Sequence, residues 1–124
     1  MSLFDWLLVG HLAGDFLLQT EGMARKKTQS WSWMLKHIGL YMAVMTVLIV
    51  AYALSHPLPF WLLVLALLLI GSTHMLLDRR GFTRTWMRLF AVPADHAWMP
   101  IVMDQVFHLV ILAVVAQILT TVGG

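Results

Sequence analysis

Three pairs of side chains stand out in this sequence. His11 and Asp15, His74 and Asp78, and Asp104 and His108 each set an imidazole and a carboxylate four residues apart inside apolar runs. A four-residue step puts both members on one face of a helix, one turn apart. His37 adds a further imidazole within another apolar run. Imidazole plus carboxylate, in a chain with no Cys, suits zinc, manganese, iron or nickel better than copper(I) or an iron–sulfur cluster. Three or four such ligands hold one catalytic ion, and an open position lets bound water act as a nucleophile at neutral pH. The residues therefore point to a divalent metal ion, zinc first, with manganese or iron as alternatives. His11, Asp15, His74, Asp104 and His108 are the candidate ligands. His37 and Asp78 are the candidates for general base or orienting group.

Two plainer readings compete. Polar pairs in a membrane bundle also hold helices together by hydrogen bonds, and chains of Asp and His also relay protons. Three aligned pairs plus His37 favour the metal. Ser72 and Thr73, which precede His74, are poor nucleophile candidates, because such residues in membrane helices usually bond their own backbone. Gln19 and Gln105 are placed to line the site. His56 and His96 fall in connecting segments and are expected to be solvated.

The elements that must position these groups are apolar segments over about 3–19, 31–54, 58–78 and 98–122. The chain is 60% hydrophobic and 11% charged, too few charges to cover a water-facing surface. Crossing the hydrocarbon core takes roughly 20 helical residues, so all four segments qualify, the first barely. The expected fold is one all-α domain over 1–124: four transmembrane helices in an antiparallel bundle. Two prolines in Ser55-His56-Pro57-Leu58-Pro59 make the second and third helices neighbours. After the third, Phe82, Trp86, Leu89 and Phe90 recur at helical spacing beside Arg84 and Arg88, which predicts a short interfacial helix. The loop after the first segment reads as polar and basic.

Charge sets the expected topology. Arg25, Lys26, Lys27 and Lys36, and Arg79, Arg80, Arg84 and Arg88, are all the basic residues of the chain. Both clusters flank apolar runs, as membrane stops do, which argues against nucleic acid as a partner. The first ten residues lack the basic region and cleavage site of a signal peptide. The positive-inside rule then puts both basic loops in the cytoplasm and both termini outside, in an inner (cytoplasmic) membrane. On that topology Asp lies nearer the cytoplasm and His deeper in all three pairs. At 1.5 Å per residue, Asp15, His37, His74 and Asp104 fall roughly 6–9 Å below the cytoplasmic helix ends, and His11 and His108 roughly 13–15 Å. Asp78 is expected at the mouth. A faint repeat agrees. His11 and Asp15 match His74 and Asp78, while Trp31, His37 and Tyr41 match Trp98, Asp104 and His108. That relation implies a pseudo-two-fold along the membrane normal and places Tyr41 beside the ligands.

The run GHLAGDFLLQT with the Met-Ala-Arg-Lys stretch after it, His37, HMLLDRR and DQVFHL resemble the small bacterial and phage membrane proteins of the domain of unknown function 3307 family. The resemblance covers nearly the whole chain and implies a polytopic membrane protein, without supplying an activity. More distantly the arrangement is similar to membrane-bound metal-dependent hydrolases, whose local motifs differ.

The leading expectation is a metal-dependent hydrolase acting on a lipid head group or phosphoester at the cytoplasmic face, with the basic loops drawing an anionic substrate. Its partners are the lipid bilayer and a second copy in a homodimer. The alternatives are a proton or divalent-ion transporter or channel, and a non-enzymatic modulator of a host envelope.

Overall fold

The computed structural model describes residues 1–79, 81–93 and 95–124, with the backbone alone at Ala24. Arg80, counted in the second basic cluster, lies outside the described residues. The described residues form helices and connections only. Helix α1 spans Leu3–Leu12 and passes directly into a π-helical segment, Ala13–Leu17. Helix α2 is Glu21–Lys26, α3 is Trp31–Ser55, α4 is Phe60–Asp78, α5 is Gly81–Leu89 and α6 is Trp98–Gly123.

Local chemistry sets most of these limits. The Ser2 hydroxyl accepts from the Asp5 amide, while the Asp5 carboxylate accepts from the Ser2 amide at 2.7 Å, a reciprocal cap that starts α1. Thr20 caps α2 through the Met23 amide. Pro57 and Pro59 stop α3 and open α4. Helix α5 ends where Ala91 takes a left-handed φ of 48° and Val92 N–H bonds back to the Met87 carbonyl, a turn usually given to glycine.

Among the described residues three helices, not four, are long and apolar enough to cross a membrane: α3, α4 and α6, with 25, 19 and 26 residues. The first segment falls short because its helical run stops at Leu17, where the chain turns to reach Thr20 and α2. Fifteen residues rise only about 22 Å at α-helical pitch, against a hydrocarbon core of about 30 Å. The short segment still belongs to the bundle. It packs on α3 and α6, which in turn pack on α4, so that α1 and α4 stand on one diagonal and α3 and α6 on the other.

The loop expected between the first two segments is partly helical, because Thr20 and Glu21 supply a helix start that a reading by charge passes over. A short helix, α5, occupies the stretch where an interfacial helix is expected. It turns Thr83 and Met87 onto the bundle and leaves Phe82 and Trp86 exposed beside Phe107, with Phe90 exposed against Trp86.

The interior divides into two layers. Leu3, Leu7, Met45, Ile49, Leu62, Ala66, Ile70, Leu112, Val115 and Leu119 fill one half with apolar groups. Every buried acid and imidazole lies in the other half, and Tyr41 stands at the boundary.

Candidate metal centre

All seven residues singled out by spacing are buried, none more than 3% exposed. They come from the π segment and α1, α3, α4 and α6, so no part of the bundle supplies the site alone. Asp78 departs from its expected place at the mouth. It is 1% exposed, because Lys27 lies across it.

Four side chains converge most closely. Asp15, His37, His74 and Asp78 each offer an atom within 4.8 Å of the others. His37 Nε2 is 2.7 Å from Asp78 Oδ2 and 3.2 Å from Asp15 Oδ1. His74 Nε2 is 3.2 Å from Asp78 Oδ2 and 3.7 Å from Asp15 Oδ1. The two Nε2 atoms are 3.1 Å apart. A tetrahedral ion bound at roughly 2.0–2.2 Å sets its ligands about 3.3–3.6 Å apart. The five separations, 2.7–3.7 Å, bracket that spacing.

A second group shares one member of the first: Asp78, Asp104 and His108. Asp78 divides its oxygens between the two. Its Oδ2 faces His37 and His74, and its Oδ1 faces His108 Nε2 at 3.4 Å. His108 Nδ1 donates to the Asp104 carbonyl at 2.7 Å, which leaves Nε2 as the basic nitrogen. The Asp104 carboxylate accepts from the Thr83 hydroxyl of α5 at 3.2 Å and lies 3.7 Å from His108 Nδ1.

His11 stands apart from both groups of ligand atoms. The Tyr41 hydroxyl is 2.9 Å from its Nδ1, and Gln105 Oε1 is 2.8 Å from its Nε2. Gln105 then donates through Nε2 to Asp15 Oδ2 at 3.0 Å. The directions follow from one another: an amide oxygen accepts, so His11 Nε2 donates, and Nδ1 accepts from Tyr41. This chain of three bonds holds one Asp15 oxygen and leaves Oδ1 turned to the fourfold group. Tyr41 also stacks on the His74 ring, with centroids 3.6 Å apart and planes 7° from parallel. His11 thus holds Asp15 through Gln105, while His37 and Asp78, expected as base or orienter, stand among the converging atoms. The Nδ1 atoms of His37 and His74 are buried and have no hydrogen-bond partner among the described residues.

Spacing passed over two members of the site. Lys27 is 7% exposed, with Nζ 3.0 Å from Asp78 Oδ2 and 3.5 Å from Asp15 Oδ1. It sits in a basic run, where charge alone reads as topology. Thr83 hides in the same way within the amphipathic pattern of α5. Other expectations hold their places. Ser72 and Thr73 donate to the Leu68 and Leu69 carbonyls, Gln105 lines the site, and His56 and His96 are exposed.

The backbone makes room for this layer at one glycine. A Cβ on Gly14 would lie 2.9 Å from Tyr41 Cδ2 and 3.3 Å from its Cα, so a side chain there would push the π segment off α3. The π turn itself, one residue wider than an α turn, carries Asp15; such turns often occur at functional sites.

No curated protein and no solved structure matches the chain. The model of one family matches residues 3–123, nearly the whole sequence, and its description is a protein of unknown function. The buried histidine and aspartate layer is therefore the interior of a chain that belongs to the DUF3307 family.

Proposed function

We propose that the protein is an integral membrane metalloprotein that holds a divalent ion, zinc in the first instance and manganese or iron otherwise, on Asp15, His37, His74 and Asp78. The observation that carries this reading is the convergence of four potential ligand atoms, drawn from three elements, within 4.8 Å of one another. Asp78 has a second oxygen toward His108, so His108 and Asp104 are the ligands for an adjacent ion, with Asp78 as the bridge.

The reaction that suits such a site is hydrolysis of a phosphoester or lipid head group. A carboxylate-bridged pair of ions stabilises both the attacking and the leaving oxygen, and the basic residues at this end of the bundle favour an anionic substrate. The positive-inside rule favours a cytoplasmic position for this end and an outer position for the end of α6. Transport is the weaker alternative, because the interior beyond Tyr41 is lined by Met45, Ile49, Ile70 and Leu112, which relay neither protons nor ions.

Elemental analysis of detergent-purified protein tests the metal. The wild type is expected to carry at least one equivalent of zinc, manganese or iron, and His74→Ala to lose it. A wild type without stoichiometric metal after reconstitution would sink the proposal. Release of phosphate or head group from anionic lipid vesicles by the loaded protein then tests the reaction.

A further inference from the structure

Lys27 occupies an unusual place for a residue of a basic loop. Its ammonium rests on Asp15 Oδ1 and Asp78 Oδ2, the same two oxygens that face His37 and His74. The other groups in this layer stand on helices of the bundle or on the π segment. Lys27 instead enters from the end of α2, with three residues between it and the start of α3.

We propose that Lys27 is a built-in rival of the metal: it rests on the two carboxylates in the metal-free protein, offsetting one of their charges, and withdraws when a divalent ion enters. This rests on the metal-site reading and adds a gate to it. The charge count supplies the reason. Asp15 and Asp78 carry two negative charges in a buried site, and Lys27 offsets one of them. A divalent ion offsets both, so an ion and the lysine together leave one positive charge in excess on the same two oxygens. Like charges at such range in a low-dielectric interior repel strongly, and the group free to leave is the one on a short connection. The lysine side chain is long and flexible, and Lys26 beside it is already exposed. The α2–α3 connection thus becomes a lid whose position depends on metal.

Two measurements on the detergent-purified full chain test this. Zinc titration calorimetry compares the wild type with Lys27→Met, which keeps the length of the side chain and removes its charge. The variant is expected to bind at least about tenfold more tightly, since its carboxylates have no internal cation to displace. Amine acylation of the wild type, read by mass spectrometry, is expected to spare Lys27 without zinc and to modify it with zinc, while Lys26 and Lys36 react in both. Equal zinc affinities together with a Lys27 that stays protected would overturn the gate and leave the metal site standing. Zinc binding lost in Lys27→Met would also overturn it, by making the lysine a support. Zinc bound by neither protein would overturn the metal site and the gate together. If Lys27→Met does not fold, acylation of the wild type decides alone.

Discussion

Two kinds of histidine share this interior, and they differ in what their ring nitrogens touch. Both nitrogens of His11 are engaged, by Tyr41 and Gln105, whereas His37 and His74 point Nε2 at the two carboxylates. Substitutions should separate the two kinds. His37→Ala and Asp78→Ala are expected to abolish zinc binding in calorimetry. His11→Ala and Gln105→Ala remove only the chain that orients Asp15, and should weaken binding about 10–100-fold, the usual cost of losing such support. Equal losses in all four variants would mean that His11 is itself a ligand. Spacing could not draw this distinction. A four-residue step places His11 and Asp15 on one face but is silent on what stands opposite, and here that is Tyr41 of α3 and Gln105 of α6.

At the scale of the element, the first segment is the unusual one. It is short, ends in a π turn, and is pressed against α3 through Gly14. Gly14→Ala must displace backbone as well as a ring, so a loss of about 1–3 kcal/mol is expected, read as a lower midpoint in a thermal melt followed by circular dichroism. An unchanged midpoint would show that the π segment yields freely. Gly39 serves as the contrast, since nothing lies within 4 Å of its added Cβ. Gly39→Ala should be neutral or slightly stabilising, because alanine is the better helix former by about 1 kcal/mol. The long helices were legible in the sequence to within two residues at each end, since unbroken hydropathy and proline mark them directly. Helix α2 and the end of the first helical run at Leu17 were not, because a helix of six residues and a π turn leave no periodic signature.

At the scale of the molecule, polar and apolar layers are stacked along one bundle, and the basic residues gather at the polar end. Arg79 lies 4.2 Å over the Trp31 ring and Lys36 4.5 Å over Trp33, which binds the basic clusters to an aromatic border. The chain has no cysteine, so single cysteines report its orientation cleanly. A cysteine at His56 is expected to react with an impermeant maleimide added outside intact cells, and one at Gln29 only after the membrane is opened. The reverse pattern would invert the topology and move the metal layer to the outer face.

The sequence by itself determined that the chain is helical, that it holds apolar segments long enough to cross a membrane, read as four where the described residues give three, and that imidazoles and carboxylates recur four residues apart within them. Those facts follow from composition and from a four-residue period, which are local. The tertiary structure decided which atoms meet. It brought atoms of Asp15, His37, His74 and Asp78 within 4.8 Å of one another, engaged His11 with Tyr41 and Gln105, and folded Lys27 back onto the two acids. Each of those outcomes depends on which helices are neighbours and how they are rotated, and no period within a single helix encodes either.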